Sequence, residues 1–418
     1  MKILFVCNVM LPSIASHLGV QAQVFGGWLS GHIDNLKKNN SIKVVVTFPY
    51  DQTKHYVCGA TDGIKYYSFK KHQKSKELQN RFEQIFDIEK PDIVHIFGTE
   101  YEHSLDAINA AETRKLLNNT IISIQGLVSV YSKHYIAALD YKIIKKRTLR
   151  DVIKRSNILK LKYNFLKSGE KEIQVLKKCK NIIGRTDWDE ACVKRINPDV
   201  KYFFCNENLR ESFYSDKWSL QNCEKHSIFV SSCAYPIKGF HLILEAFSDV
   251  VKKYPDAHLY TVGQRKLEEN GFLANQKLPY YIFYIKKLIK KYNLEKKVTF
   301  LNFLDEKHMK ERFLSSNVFV LPSSIENSPN SLGEAMILGV PCVASDVGGV
   351  KNMLKHGEEG YVYPYDEPYM AAYYISKIFD DEKLAQDFSI KAKKHAEHTH
   401  NIDINIMTSI DIYNEVMK

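Results

Sequence analysis

Short β-rich runs alternate with stretches of helical spacing along the whole sequence, and this alternation most constrains the fold. It is typical of parallel sheets covered by helices. The first half contains strand candidates at 3–6, 43–48, 93–97, 120–124, 181–183 and 202–205. The pattern restarts after a polar stretch at 211–226, with candidates at 227–231, 258–262, 298–301, 318–321 and 342–344. The sequence therefore predicts two α/β units of the same kind.

The length of the chain also favours two domains. It has 418 residues, and one compact core rarely grows beyond about 250–300 residues. We predict an N-terminal Rossmann-like domain over 1–215 and a C-terminal one over 216–401. The two sheets would face each other across a cleft, with ligands at the carboxyl ends of the strands. Residues 402–418 have helical spacing, and this helix packs on the second domain or crosses back to the first.

The first residues allow two interpretations. Met1-Lys2, followed by an apolar run from Ile3, resembles a short signal peptide. We favour a first β-strand at 3–6, because Asn8 interrupts the apolar run and the next segment has the character of a strand-to-helix turn. No stretch reaches about 18 apolar residues, so no transmembrane helix is predicted.

The cysteines indicate a reducing compartment. All eight are scattered, without a C-x-x-C pair, which is typical of single thiols in a cytoplasmic protein and argues against a zinc site or a disulfide framework.

Positive charge is concentrated in one segment. Residues 141–180 contain 14 Lys or Arg and three acids, a net +11, which equals the +11 of the entire chain. These cations alternate with aliphatic residues, which favours a peripheral contact with an anionic membrane at the inner membrane face, or an anionic acceptor. An ordinary solvated helical face is the competing interpretation. Nucleic acid is disfavoured as a partner, because few aromatic residues are interleaved with the cations of this segment and no DNA-binding motif is present.

The segment 318–350 contains the most informative pattern, VFVLPSSIENSPNSLGEAMILGVPCVASDVGGV. It predicts a strand, a polar loop, a helix, a tight turn, a second strand and a glycine pair. Glu326 lies in the loop, and Glu334 follows eight residues later, inside the helix. Asn330, Ser331 and Leu332 lie at the start of the helix. A capping loop in an unrelated Rossmann domain would be the alternative explanation.

This arrangement suits a nucleotide sugar. Backbone N–H groups at a helix N-terminus bind phosphate, and Ser331 adds a hydroxyl there. Glu334, one turn inside the helix, can accept hydrogen bonds from ribose hydroxyls. Glu326, just outside the helix, can bind hydroxyls of the transferred sugar.

With these residues in place, the sequence resembles the family-four retaining glycosyltransferases of the GT-B fold, including those that build bacterial capsule and other surface glycans. Glu326 and Glu334 match the E-x7-E motif of that family. The resemblance implies a metal-independent, retaining hexosyltransferase whose donor is a nucleotide diphosphate sugar, by family frequency a UDP-sugar, with GDP second. The implied acceptor is a glycan or a lipid-linked glycan, and no cofactor besides the donor substrate is expected.

Two further donor elements follow from the resemblance. Lys238-Gly239 occupies the place of the lysine that binds the diphosphate. Gly26-Gly27 matches the glycine pair that opens the first helix beside the donor. Relatives usually carry an arginine where this chain has Cys233. Arg265 is a candidate replacement, although an ordinary surface arginine is the favoured interpretation.

The first domain holds the acceptor in this family. Glu100, Tyr101 and His103 follow the strand at 93–97 and are expected at its carboxyl end, with His103 a candidate catalytic residue. Many relatives carry a histidine where this chain has Gln125. Arg185 or Asp187 lines the cleft or caps the following helix.

The predicted site therefore has two sets of residues. The catalytic candidates are Glu326, Lys238 and His103, and no metal ligand is expected. The donor-binding candidates are Gly26, Gly27, Lys238, Glu326, Asn330, Ser331, Leu332 and Glu334. Three rivals remain open: a nucleotide-sugar epimerase of similar shape, a catalytically silent nucleotide-sugar-binding subunit, and a secreted sugar-binding protein.

Overall fold

The computed structural model describes residues 1–21, 27–71, 73–263 and 271–418. In chain order the strands of these ranges are β1 Lys2–Val6, β2 Lys43–Pro49, β3 Cys58–Thr61, β4 Ile64–Phe69, β5 Ile93–Phe97, β6 Thr120–Ser123, β7 Asn181–Gly184, β8 Lys201–Phe204, β9 Glu224–Val230, β10 His258–Val262, β11 Val298–Leu301, β12 Ser316–Leu321, β13 Cys342–Ser345 and β14 Tyr361–Tyr363. All eleven predicted strands are present, which confirms the alternating pattern.

The α-helices of the same ranges follow that order: α1 Pro12–His17, α2 Gly27–Lys37, α3 Ser75–Glu89, α4 Glu102–Thr113, α5 Val128–His134, α6 Tyr141–Ile144, α7 Leu149–Ile153, α8 Ile158–Lys178, α9 Asp187–Ile196, α10 Phe240–Lys253, α11 Phe272–Gln276, α12 Tyr280–Lys291, α13 Glu306–Leu314, α14 Asn330–Leu338, α15 Val350–Met353, α16 Pro368–Asp380, α17 Glu382–Thr399 and α18 Ile402–Val416.

The chain divides into two compact units. Unit 1 comprises Met1–Ser129, Lys167–Arg210 and His400–Lys418, and unit 2 comprises Val130–Leu166 and Glu211–Thr399.

Unit 1 is built on an eight-stranded sheet in the order β3-β4-β2-β1-β5-β6-β7-β8. Every pairing is parallel except that of β3 with β4. The central strands β1 and β5 are almost fully buried, because a sheet covered on both faces needs apolar side chains on each of them. β1 therefore confirms the prediction of a strand at 3–6.

Helix α18 packs on unit 1. Its Tyr413 is fully buried and shares an apolar cluster with residues of β1, β2 and α2. The Tyr413 hydroxyl lies 2.8 Å from Nδ1 of His95 on β5, and Nε2 of His95 lies 2.7 Å from the Ser123 hydroxyl. Of the two placements left open for 402–418, the structure therefore shows the crossing back to the first domain.

Unit 2 is built on a six-stranded, wholly parallel sheet in the order β11-β10-β9-β12-β13-β14. β12 is buried along its whole length. The helix with the strongest amphipathic pattern, α10, buries one face that includes Phe240, Ile243 and Phe247, as the helical spacing of its apolar residues predicts.

The structural division differs from the predicted boundary at 215/216 in one large segment. Residues 130–166 belong to unit 2, whereas the prediction assigns them to the first domain. The reason is a set of contacts that no sequence period reveals. Within unit 2, Nε2 of His241 lies 2.7 Å from the carbonyl oxygen of Ala137, and the Thr148 hydroxyl donates to the Leu278 carbonyl at 2.6 Å.

Three strands escaped the sequence analysis: β3, β4 and β14. β3 and β4 form a hairpin whose two-residue turn is Asp62-Gly63, both with positive φ. An Asp-Gly pair is a strong signal for this kind of turn, so the hairpin could have been predicted. β14 has three residues, which is too short for its alternation to stand out.

No helix among the described residues has the length and apolar character needed to cross a membrane.

Replacing Tyr413 tests how strongly α18 supports unit 1. Tyr413→Phe removes the hydroxyl that contacts Nδ1 of His95 but keeps the aromatic ring. We therefore expect a loss of about 1 kcal/mol in the free energy of unfolding. Tyr413→Ala also leaves a cavity, and we expect a loss of about 3–5 kcal/mol. Urea unfolding measures both. Met407→Ala, at an exposed position of the same helix, is the control, and equal effects at the two positions would contradict the packing described here.

Candidate functional site

The loop between β12 and α14, residues 322–329, is the best candidate site in unit 2. All of its residues from 322 to 328 are buried, although five of them are polar: Ser323, Ser324, Glu326, Asn327 and Ser328. A buried polar loop is stable where its groups form hydrogen bonds. This loop follows the carboxyl end of a central parallel strand, where ligands bind in folds of this kind.

Glu326 contacts Lys238 directly. The Lys238 ammonium lies 2.5 Å from Oε1 of Glu326, and the Ser323 hydroxyl donates to the same oxygen at 2.7 Å. The Glu326 side chain is 8% exposed and the Lys238 side chain 34%. One cation and one hydroxyl therefore fix a buried carboxylate, while the ammonium keeps access to solvent and to a further anion.

Two glycines allow the neighbouring loops to approach this one. Gly239, at φ +66°, lies so close to the carbonyl oxygen of Pro322 that an added Cβ would come within 1.8 Å of it. Gly348, at φ +51°, stands in the same relation to the carbonyl oxygen of Glu326, again at 1.8 Å. Both the conformation and the space require glycine. The loops after β9 and β13 therefore pack directly on the backbone that carries Glu326.

Further hydrogen bonds hold the loop from both sides. The Ser345 hydroxyl, at the end of β13, donates to the Ser323 carbonyl at 2.6 Å. The backbone N–H of Ser324 donates to the Ile237 carbonyl at 2.9 Å, and its hydroxyl donates to the His134 carbonyl at 2.9 Å. The sequence analysis missed the roles of Ser323 and Ser345. The role of Ser345 could have been predicted, because it lies at the carboxyl end of a parallel strand.

Helix α14 begins at Asn330, so Asn330 and Ser331 lie in its first turn. Pro329 precedes it and no side chain caps the helix there. Glu334 is buried, at 8% exposed, and is the single charged residue of this helix. A positive helix end and a buried carboxylate therefore follow the Glu326 loop directly in sequence.

Cys233 does not supply a cation in place of the expected arginine. Its thiol is buried, which raises the pKa to about 11, so the group is neutral at physiological pH. An added Cβ on Gly263 would meet its sulfur at 2.5 Å. The side chain therefore fills the space beneath the end of β10. Arg265, the suggested replacement, lies outside the described residues, as does Gly26, whereas Gly27 is the first residue of α2.

Unit 1 has its own buried polar cluster at the carboxyl ends of β1 and β5. The Asn8 amide donates to the Tyr101 hydroxyl at 2.6 Å. Glu100 is half-buried, and desolvation of its carboxyl raises the pKa to about 8. Glu172 of α8 adds a second carboxyl, which accepts hydrogen bonds from the backbone N–H groups of Val128 and Ser129 at 2.8 and 3.2 Å. Burial raises its pKa to about 7.

His103 lies in an aromatic stack. Its ring is 5.2 Å from that of Tyr101 and nearly parallel to it, and 5.0 Å from that of Phe69. Desolvation lowers the pKa of His103 to about 3, so the imidazole is neutral across the physiological range. The stack explains why a histidine is buried here, and the structure gives His103 no acidic or basic partner for proton transfer among the described residues.

Gln125 belongs to a second network of unit 1. Its amide donates to Oε1 of Glu207 at 2.6 Å, and the guanidinium of Arg185 lies 2.5 Å from Oε2 of the same carboxylate. Arg185 also donates to the Ile124 carbonyl at 3.1 Å. Arg185 therefore orders the loop after β6. Asp187 instead opens α9 behind the capping residue Thr186.

Two cavities lined by described residues are large enough to consider as binding sites. One, of about 310 Å³, lies in unit 1 near the carboxyl ends of β1 and β2, and its polar lining includes Asn8, Asp51 and Lys71. The other, of about 570 Å³, lies in unit 2 between α12 and β11. The second cavity is larger but contains none of the predicted residues, so its size does not make it the site. No group of three His, Cys, Asp or Glu side chains among the described residues is placed to hold a metal ion.

Comparison with known proteins agrees with this geometry. The sequence model of the glycosyl transferases group 1 family matches residues 212–395, the part that contains Lys238, Glu326 and Glu334. This region is a glycosyl transferases group 1 domain. The resemblance of the sequence to the glycosyltransferases is thereby confirmed.

Relatives of this chain include bacterial and archaeal glycosyltransferases. A putative glycosyltransferase, YtcC, of Bacillus subtilis is 28% identical over 187 residues, 44% of this chain and 43% of that protein. The capsular polysaccharide biosynthesis glycosyltransferase CapM of Staphylococcus aureus is 24% identical over 43% of this chain and 44% of its own length. The chain spans about half the length of the curated relatives it matches, between 43% and 63% for three of them.

Solved structures resemble the whole chain. Sucrose-phosphate synthase from Thermosynechococcus elongatus has a TM-score of 0.70 at 14% identity and covers 100% of this chain and 99% of its own. Anabaena HepE, in complex with UDP-glucose, has a TM-score of 0.67 at 15% identity, with 98% and 99% covered. Such low identities establish the fold alone. The predicted GT-B class, with two parallel-sheet α/β domains, is confirmed.

The Glu100 carboxyl makes unit 1 sensitive to pH. Its pKa is about 8 in the folded state against an ordinary value of 4.5, so folding favours the protonated form. The contribution of this carboxyl to the stability of unit 1 is fully present below about pH 4.5 and is lost as the pH rises through about 8. Glu100→Gln removes this titration, and we expect the variant to lose less stability than the natural chain between about pH 5 and pH 8, by on the order of 1–3 kcal/mol.

Thermal unfolding at the two pH values measures the effect. Glu102→Gln is the control, because Glu102 is exposed and lies two residues after Glu100. It should keep the natural pH dependence. An unchanged pH dependence in Glu100→Gln would show that this carboxyl is not the titrating group.

Proposed function

We propose that the protein is a retaining glycosyltransferase that moves a hexosyl unit from a nucleotide diphosphate sugar to a glycan or lipid-linked acceptor. The observation that carries this proposal is the Lys238–Glu326 contact in a buried loop of the group 1 domain. A cation beside a carboxylate at the carboxyl end of a parallel sheet provides groups for both halves of such a donor, its diphosphate and its sugar.

Lys238 is placed to stabilise the leaving group. Its ammonium uses one of three donors on Glu326 and can bind a phosphate oxygen with another. Negative charge grows on the diphosphate as the bond to the anomeric carbon breaks, and a preorganised cation lowers that barrier. The N-terminus of α14 supports the same charge through its dipole, with Asn330, Ser331 and Leu332 as the first N–H groups.

Glu326 and Glu334 are assigned to hydroxyl groups of the donor. Glu326 is held by Lys238 and Ser323 through the same carboxylate oxygen, which leaves the second oxygen to accept from a sugar hydroxyl. Glu334, buried one turn into α14, is proposed to accept from the ribose. A UDP-sugar is the proposed donor, and the complexes of HepE with UDP and UDP-glucose support it.

The proposed reaction needs no nucleophilic side chain. The bond between the anomeric carbon and the diphosphate oxygen breaks, and the acceptor oxygen bonds to the same face of that carbon. The acceptor proton passes to the departing diphosphate oxygen. Gln125 stands where many relatives carry a histidine, and an amide cannot take a proton at physiological pH, so this chain depends on the leaving group as the base.

A role in the synthesis of a surface polysaccharide, on the cytoplasmic side, is proposed on two grounds. CapM, a capsular polysaccharide enzyme, is among the relatives of the group 1 domain. No two of the eight cysteines, all of which lie in the described ranges, form a disulfide with each other, which suits a reducing compartment.

Removing either member of the central pair should abolish transfer. We expect Lys238→Ala and Glu326→Ala to lower kcat/KM by about 100-fold or more, because each removes a charge that acts on the reacting donor. Lys252→Ala, at an exposed lysine of the same unit, should retain normal activity. Release of nucleotide diphosphate measures turnover, and thermal unfolding shows that the fold survives. Near-normal turnover in either site variant would contradict the assignment of that residue to the donor site.

The identity of the donor and the mechanism can be tested in linked experiments. In a panel of nucleotide sugars, the true donor should raise the unfolding temperature, since saturation at about 100 times Kd adds about 2.7 kcal/mol. We expect a UDP-sugar to do so, and Lys238→Ala to lose most of the effect.

The product then discriminates among the remaining possibilities. NMR of the anomeric proton should show retained configuration, and excess EDTA should leave the rate unchanged. An isomerised sugar formed without acceptor would indicate an epimerase. Donor binding with neither transfer nor hydrolysis would indicate a silent binding subunit.

A further inference from the structure

Exposed apolar side chains gather in one segment of unit 2. Seven of the nineteen exposed large hydrophobic side chains of the described residues lie within 141–166: Tyr141, Leu149, Val152, Ile153, Leu159, Tyr163 and Leu166. We call these seven, with the Lys and Arg residues among them, the basic–apolar patch. Scattered exposed apolar residues are normal in any protein, whereas a cluster of this density marks an interaction surface.

Helix α7 shows an inverted amphipathic pattern. It exposes Leu149, Val152 and Ile153, of which Ile153 is 77% exposed, and it buries its one acid, Asp151. A helix that packs on a protein core ordinarily does the reverse. Leu149, Val152 and Ile153 therefore contribute little packing among the described residues.

Polar contacts, and not its apolar residues, hold α7 in place. Thr148 and Asp151 form a capping box at its N-terminus. Beyond the helix, Thr148 donates to the Leu278 carbonyl at 2.6 Å, and Asp151 accepts from the backbone N–H of Tyr280 at 2.9 Å. These buried bonds fix the orientation of the helix, so the patch is formed before any partner arrives.

The charge of the patch has one sign. Residues 141–166 contain nine Lys or Arg and one acid, 9 − 1 = +8, and that acid is Asp151, which faces inward. Lys154 and Arg155 directly follow the exposed aliphatic pair and are themselves exposed. Neither has a carboxylate within ion-pair distance among the residues that the structure covers. Their charge is available to an anionic partner.

We propose that the basic–apolar patch docks on an anionic lipid bilayer, with Val152 and Ile153 inserted among the lipid chains and the surrounding cations on the headgroups. A bilayer accepts both components, apolar residues below and Lys or Arg at the level of the phosphates. A protein interface would have few lysines at its centre, and single-stranded nucleic acid would call for stacked aromatic residues, where this patch exposes mainly aliphatic ones.

The same segment supports the loop of the candidate site. His134 accepts the Ser324 hydroxyl at 2.9 Å, two residues before Glu326, and Ala137 accepts from His241 at 2.7 Å. Docking therefore holds unit 2, with its site, at the surface of the bilayer. If the proposed transfer is correct, a lipid-linked acceptor would meet the enzyme there. The docking itself does not depend on the transfer.

Co-sedimentation with vesicles tests the proposal on the full chain. We expect binding to vesicles of phosphatidylcholine and phosphatidylglycerol in equal parts, and none to pure phosphatidylcholine. The double variant Val152→Asp, Ile153→Asp should lower the partition coefficient by about tenfold or more, and Lys154→Glu, Arg155→Glu should do the same and reduce the salt dependence. Ile390→Asp, at an exposed isoleucine of α17 in the same unit, should bind as the natural chain does.

Thermal unfolding should be the same in all these proteins, because the substituted side chains are exposed. Equal binding to neutral vesicles, or undiminished binding of the Val152→Asp, Ile153→Asp variant, would overturn the proposal. So would binding to heparin or RNA with none to anionic vesicles, which would assign the patch to a different polyanion. Loss of transfer with vesicle binding intact would contradict the proposed function alone.

Discussion

The contact between Lys238 and Glu326 is the interaction on which the organisation of unit 2 around its site depends. Each residue comes from a loop at the carboxyl end of a central strand, and the two loops approach closely because Gly239 leaves room for the Pro322 carbonyl. A buried carboxylate needs a partner of opposite charge or a set of donors. Lys238 and Ser323 supply both, and the partly exposed ammonium keeps the pair open to a substrate.

The polar loop is stabilised by elements that look unrelated in sequence. Ser345 closes it from the strand on one side and Gly348 from the following turn, while His134 supports it from the segment at 130–166. A change in any of them would reach Glu326 through the backbone and not through direct contact. The site is therefore a property of four chain segments, and its precise geometry requires all of them.

Much of this could be predicted from the sequence, and the failures have physical causes. Glu326 and Glu334 were predicted from a strand end and a helix start, and Lys238 from the family resemblance; the structure brings Lys238 and Glu326 into contact. The support from His134 was not predicted, because a hydrogen bond to a backbone carbonyl leaves no trace in the residue type. The assignment of 130–166 failed for the same reason. A site role for His103 stays a prediction: the structure places it in an aromatic stack, and sequence gives no measure of its burial.

The placement of α18 in unit 1 has a consequence for the order in which the chain is made. Domains generally fold during synthesis once their residues have emerged. Unit 2 has all of its strands and helices by Thr399, yet unit 1 still lacks the helix that covers His95 and the apolar residues around it. The half that is translated first is thus the half that finishes last. Until Tyr413 arrives, its sheet holds an uncovered apolar face, although unit 2 is already complete on the same chain.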